Sequence, residues 1–474
     1  FGLRPFDSRH YVRTQMAVRA TVRSNPSADS EANVLDEGVL KHHEEAQRGF
    51  VREGSIPGYA EILLHRGQVA YHSTFGHADM EAKVPFSDDT LVRLFSMTKP
   101  LTAVALMCLV EKGQVDLRHP VSKYLPAWKN MRCVRNANQV RATDSDAKVR
   151  NGPSLQQLLV HTSGLSYGAF FGQAPKYACE RSYKDLVAGV DAQNITSIAS
   201  FVEELGKLPL RFEPGDRWEY SHGMDVLGRV IEVASGKPLQ KFLREAVLQP
   251  LEMNDTGFTV GEASIGRLAA LYSQPKEGEE GSKLDRLDGG GSSAWAEGRA
   301  CAVVAGGGFM GSSSPTSDGT SSVGGVVSTL KDYLRFVNML ACGGRCPSTG
   351  RRILREATVD LFFDNWLAKK GVTKGQKRLK GWHTDGRGKM GWGPLGQVSL
   401  EGRSAGAIWM GGIAGTFFAI DRKRELVCLT FTQATEAYDY YGERLWEAAK
   451  EALAAKTASN DGSSASKRYK RSTT

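Results

Sequence analysis

Ser96 and Lys99 stand three residues apart in Leu94-Phe95-Ser96-Met97-Thr98-Lys99-Pro100. On a helix that spacing puts both side chains on one face. A serine hydroxyl becomes a useful nucleophile when a base takes its proton. A lysine desolvated against an apolar helix has its pKa lowered toward that task. Residues 97–110 are almost wholly apolar and end at Glu111-Lys112-Gly113. Apolar residues on every side predict a helix buried all round, with Pro100 in its first turn and Gly113 at its stop. The plainer reading of Ser-x-x-Lys is a helix cap beside a surface lysine, and the motif alone does not separate the two.

Other side chains compete for the same role. Ser166, in Gly164-Leu165-Ser166-Tyr167-Gly168, matches the G-x-S-x-G nucleophile elbow. That motif works where a strand feeds a sharp turn into a helix. Here a short helix over Leu155–Val160, capped by Ser154, precedes it, and a loop containing Phe170, Phe171 and Pro175 follows, so the context argues against Ser166. Tyr220 follows the Pro214-Gly215 turn and stands just before an amphipathic helix that starts at Met224 and has Gly236 past its end. Such a turn suits a phenol aimed into a cleft, and equally a packed turn tyrosine.

These residues need elements to hold them. A helical spacing covers residues 30–53. Gly58 to His77 reads as a β-hairpin turning at Arg66-Gly67, with His65, His72 and His77 as solvated edge residues. Helices are predicted over 196–208 and Leu330–Cys342. From Gly391 the pattern turns to strands: one begins at Gly391-Trp392-Gly393, a second runs over Ile408–Asp421, and a third over Leu426–Thr432. Antiparallel strands at 413–421 and 426–432 complete a sheet with the hairpin, and a helix over Tyr441–Ala455 covers it. Residues 1–29 read as an arm, 30–455 as one folded domain, and 456–474 as a disordered basic tail. Within the domain, 129–152 reads as an exposed insertion, 273–325 as a Gly/Ser-rich mobile segment suited to a lid, and 368–390 as a basic loop.

Composition narrows the function classes. The formal charge is +9, but residues 1–25 carry five Arg against one Asp, and residues 456–474 carry three Lys and two Arg against one Asp. The stretch between is close to neutral, so the basic balance does not mark a nucleic-acid-binding core. No apolar run approaches the ~18 residues that span a membrane. The seven cysteines are scattered and odd in number, which implies no disulfide framework. Cys342-x3-Cys346 lacks a second pair or a nearby histidine for zinc. A reducing compartment fits this usage. The first 25 residues are Arg-rich and lack the apolar core of a secretory signal. They read as an organelle-targeting remnant or as a disordered arm, which leaves a cytoplasmic or an organellar location open.

Four ordered motifs make a recognisable set: Ser96-Met97-Thr98-Lys99; Leu158-Leu159-Val160-His161-Thr162-Ser163-Gly164-Leu165; Phe212-x-Pro214-Gly215 through Tyr220-Ser221; and Gly324-Gly325-Val326-Val327-Ser328-Thr329. Together they resemble the serine β-lactamase-related family, which spans class C β-lactamases, DD-peptidases, and esterases and acyltransferases of the same fold. The resemblance covers roughly residues 45–455. It implies an α/β (α+β) β-lactamase/transpeptidase-like fold, with an antiparallel sheet flanked by helices beside an all-helical region, and the site in the groove between. Ser96 would be the acylated nucleophile and Lys99 its proton partner. Tyr220 matches the tyrosine of the Y-x-N motif, as general base or as a group sharing a proton with Lys99.

Two departures from the family pattern bear on substrate. His222 stands where the motif has Asn. No K-T-G is present. Met410-Gly411-Gly412 falls in its place, with Trp409 beside it, resembling the W-G-G of the esterase branch. The lysine that anchors a β-lactam or peptide carboxylate is therefore missing. The amides of Ser96 and Ile413 would form the oxyanion hole. Gly411, Gly412, Trp409 and His222 would line the substrate. The resemblance implies no metal and no cofactor. The expected partner is a small ester, thioester or amide, and the oligomeric state stays open. β-Lactamase or DD-peptidase action, and a non-catalytic scaffold or filament of the same fold, are the alternatives.

Overall fold

The computed structural model describes residues 35–134, 147–168, 178–191, 195, 197–273, 284–288, 321–369, 372, 390–435 and 441–460. The sequence forms α1 (Glu37–Arg52), then a hairpin of β1 (Gly58–His65) and β2 (Gln68–Asp79), with β3 (Val84–Pro85) on its edge. Arg66 and Gly67 both have positive φ, 53° and 70°. That is the turn whose twist suits a two-residue hairpin. The C-terminal part supplies β4 (Met390–Gly393), β5 (Gly396–Ser399), β6 (Ile408–Gly412), β7 (Thr416–Asp421) and β8 (Leu426–Phe431). The sheet runs in the order β4-β5-β6-β7-β8-β1-β2-β3 and is antiparallel throughout. The chain's early hairpin thus pairs with its last long strand, Ile62 opposite Leu429.

Alternation along the strands sorts side chains to two faces. Leu63, Trp409, Phe417, Ala419 and Cys428 pack with Leu40 of α1 and with Leu445 and Trp446 of the C-terminal helix, Arg444–Asn460. Ile62, Met410, Phe418, Ile420 and Leu429 face the larger core. That core contains α2 (Thr98–Glu111), in which every residue from Thr98 to Leu109 is buried. Around it lie α3 (Leu155–Leu159), α4 (Ile198–Leu205), α5 (Gly223–Ser235) and α6 (Leu330–Ala341). Local signals set their ends. Ser154 and Gln157 form a reciprocal capping box at α3. Thr329 caps α6 through Asp332 N. Gly236 ends α5 in the left-handed region, φ 68°.

Four expectations need correction. The strand expected over Ile408–Asp421 is two strands. Gly415 N donates to Gly412 O at 2.9 Å and Gly415 has φ 83°, so the chain reverses within residues 412–416. The exposed insertion at 129–152 is anchored at both ends, where Arg132–Cys133 pairs with Ala147–Lys148 and Met131, Cys133 and Val149 are buried. The segment 273–325 is also tied down at its ends: Asp285–Arg286 pairs with Tyr272–Ser273, and Ser321 begins a strand against Val260. Its middle, like most of 368–390, lies outside the described residues. Finally, His65 is buried, and His72 pairs with the buried Asp88 at 2.8 Å rather than facing water.

Candidate active site

Ser96 sits on a short 3-10 turn, Phe95–Met97, that leads into α2. Phe95 has φ 47°, a left-handed conformation uncommon for a bulky residue. It persists because the turn is held on several sides. Leu94 N donates to Val326 O at 2.9 Å, and Thr416 Oγ1 donates to Leu94 O at 3.3 Å. Val326 N donates to Thr98 Oγ1 at 2.9 Å, and Tyr333 Oη donates to Met97 O at 2.9 Å. β6 presses against this turn. A Cβ added at Gly412 would lie 2.3 Å from Leu94 O, which explains the glycine at the end of that strand.

Lys99 comes from the first turn of α2 and is 3% exposed. Its Nζ donates to Ser96 Oγ at 3.1 Å. Burial pushes the amine down to about 7, with the Asp225 carboxylate pulling the other way. Nζ also lies 4.7 Å from the centre of the Tyr220 ring. Tyr220 Oη donates to Ser96 Oγ at 3.0 Å. Burial drives this phenol far above its ordinary range, partly offset by the bond to Ser96.

Tyr220 reaches Ser96 because two motifs interlock. Arg211 N donates to Gly164 O, Gly215 N to Thr162 O and Glu219 N to His161 O, at 2.8, 2.8 and 2.9 Å. A Cβ on Gly164 would meet Phe212 O at 2.2 Å. The His-Thr-Ser-Gly segment is therefore the bed on which the Pro-Gly turn lies. His161 has φ 60°, and its ring stands 4.5 Å from that of Tyr220. Trp392 of β4 packs 5.8 Å from Tyr220, 5.4 Å from His161 and 5.1 Å from Trp218. The Trp218 and Trp392 indole nitrogens are buried with no hydrogen-bond acceptor among the described residues.

The structure thus brings together Ser96, Lys99 and Tyr220, with Gly412 against the nucleophile turn. Three expected substrate contacts lie elsewhere. Trp409 points to the opposite face of the sheet, where it packs on Phe417 at 5.8 Å. Successive residues of a strand alternate faces, so Trp409 and Gly412 cannot share one. Gly411, opposite Phe417 in register, belongs to the face of Trp409. His222 turns inward to Asp225, Tyr167 and Phe201. Ile413 follows Gly412 in the tight turn before β7. Ser166 is buried on a loop and accepts from Gly168 N at 2.9 Å, and the helix Leu155–Leu159 rather than a strand comes before it. Sequence reasoning missed Asp225, Tyr167, Trp218 and Trp392. A carboxylate inside the apolar run Met224-Asp225-Val226-Leu227 was the available signal for the first.

The beta-lactamase family model matches residues 41–453. The chain belongs to the beta-lactamase family. Among its relatives, esterase EstB of Burkholderia gladioli is 34% identical over 222 residues, 47% of this chain and 52% of that protein. Lovastatin esterase of Penicillium rubens is 25% identical over 394 residues, 79% of this chain and 88% of that protein. The solved structure of simvastatin synthase LovD from Aspergillus terreus matches with a TM-score of 0.67 at 23% identity, covering 90% of this chain and 99% of that one. At that identity the likeness carries the fold alone. This protein is a serine hydrolase of the family, with esterases and acyltransferases among its relatives. Among the described residues no helix is long and apolar enough to cross a membrane, and no group of three or more His, Cys, Asp or Glu is arranged to hold a metal ion.

Proposed function

We propose that this protein is an esterase or transesterase that forms an acyl-enzyme on Ser96 from small, uncharged esters or thioesters. One observation carries the reading: Ser96 Oγ lies within 3.1 Å of Lys99 Nζ and 3.0 Å of Tyr220 Oη. An amine near 7 is neutral in a useful fraction at physiological pH. Neutral Lys99 takes the Ser96 proton as Oγ attacks the carbonyl. Tyr220 stays a phenol and acts as a relay, passing a proton from Lys99 to the departing alkoxide while giving up its own. The amides of Ser96 and Ile413 receive the oxyanion, a role supported by the packing of Gly412 against Leu94. Water or an alcohol then enters by the reverse path.

Met410, where relatives with K-T-G carry lysine, is a buried core side chain. Met410 itself offers no charge to a substrate carboxylate, which favours uncharged esters over β-lactams. The esterases and acyltransferases among the relatives point the same way.

Intact-mass measurement after treatment with a fluorophosphonate tests the nucleophile. One adduct is expected on the wild type and on Ser166→Ala, and none on Ser96→Ala. Turnover of p-nitrophenyl esters without turnover of nitrocefin is expected alongside. An adduct retained by Ser96→Ala would overturn the assignment.

A further inference from the structure

His222 takes no part in the proton path above, yet it is a polar side chain sealed in the wall of the site. Its Nδ1 lies 3.1 Å from Asp225 Oδ2, with the two side chains 3% and 0% exposed. Its ring meets Tyr167 edge-on at 4.3 Å and Phe201 at 5.1 Å. Its Nε2 is buried with no hydrogen-bond partner among the described residues. An orphaned buried N–H is rarer than an orphaned lone pair. The ring therefore carries its proton on Nδ1 and donates it to Asp225.

Asp225 stands in the first turn of α5, where the helix dipole favours a carboxylate. Three titratable groups lie within electrostatic reach of it: Lys99 from α2, Tyr167 from the loop after α3, and Tyr220 from the turn before its own helix. Tyr167 bridges the two halves of the cluster, its ring 5.6 Å from Lys99 Nζ and 4.3 Å from the His222 ring. α4 presents Phe201 there, while its Glu203 is exposed and its Glu204 pairs with Lys207. Helix Leu239–Leu243 keeps Lys241 in solvent, and on α5 itself Arg229 pairs with Glu232. His161 is held neutral by burial and by the charge of Lys99.

We propose that His222 and Asp225 are a positioning pair for the proton transfer between Ser96 and Lys99. The proposal rests on the Ser96–Lys99 reading given above. When the Ser96 O–H bond breaks, the electron pair on Oγ forms the bond to the acyl carbon and the proton forms an N–H bond on Lys99. A positive charge appears on a buried amine. The Asp225 carboxylate compensates it, and the Nδ1–H of His222 holds that carboxylate in its orientation. The arrangement does for a lysine base what a buried aspartate does for a histidine base. His222 thereby supplies the donor that an amide side chain would supply in its place.

The test is the pH profile of kcat/KM for p-nitrophenyl acetate on the wild type, Asp225→Asn, His222→Leu and His222→Asn. Fluorophosphonate labelling of each comes first. Asp225→Asn is expected to lower the plateau at least tenfold and to move the acidic limb about one pH unit lower, because the charge that raises Lys99 is gone. His222→Leu moves the limb the same way by less. His222→Asn, whose amide can still donate, restores it toward the wild type. A lowered plateau with an unmoved limb, or an unchanged profile in Asp225→Asn, overturns the proposal. If Asp225→Asn does not fold, the contrast between His222→Leu and His222→Asn decides. A wild type without a Ser96 adduct sinks the underlying reading instead, independently of this pair.

Discussion

At the scale of single residues the proposed chemistry depends on one buried amine. Lys99 is desolvated by α2 and its neighbours and sits near 7, while Asp225 opposes the drop. A base whose pKa is lowered is active above that value and is silenced by protonation below it. The kcat/KM of the wild type should therefore fall as pH drops through about 7. Lys99→Arg places a group that stays protonated at every assay pH. It should lose about 10²–10⁴-fold in kcat/KM with no recovery at high pH, read in the same ester assay. Tyr220 cannot replace it as the first base, because its phenol is held far above the working range.

At the scale of elements the site is the meeting of a helix, a strand and two loops. Gly412 brings β6 against the backbone of Leu94, closer than any side chain permits. Gly412→Ala should force the strand or the nucleophile turn to move. The expected cost is about 1–3 kcal/mol in a urea unfolding curve, with a larger loss in kcat than in KM, because the amides proposed to receive the oxyanion separate. A variant with full kcat would show that the strand does not set the geometry of Ser96. The interlocked loops at 161–164 and 211–220 work in the same way: positive φ at His161, Gly164 and Gly215 lets two backbones bond face to face.

At the scale of the whole molecule, distant pieces of chain are fastened to the strand before Ser96. Arg93 is buried, donates to Ala269 O at 2.7 Å and pairs with Asp288 at 3.0 Å. Gln433 bonds the Arg93 backbone from both sides, accepting from its N–H and donating to its carbonyl. Asp288→Asn leaves the guanidinium without its countercharge in the interior. A loss of about 3–5 kcal/mol in stability is expected, measured as a lowered urea midpoint. An unchanged midpoint would show that Asp288 contributes nothing to holding Arg93.

The sequence by itself determined the features that local rules govern. Three-residue spacing and an apolar run placed Ser96 and Lys99 at the head of a buried helix. A two-residue turn made the hairpin, and caps and glycines ended the helices within a few residues of expectation. The ordered motifs carried the family. What only the tertiary structure decided depends on contacts far apart in sequence. Tyr220 meets Ser96 across 124 residues through hydrogen bonds between two loops. Trp392 enters the site wall from β4, at the far edge of the sheet from β3. The resemblance to a W-G-G motif puts Trp409 at the substrate, but strand alternation sends it to the other face. His222 was expected at the substrate by motif position, and a buried carboxylate one helical turn away draws it inward. In each case packing and register, which no local pattern encodes, chose the partner.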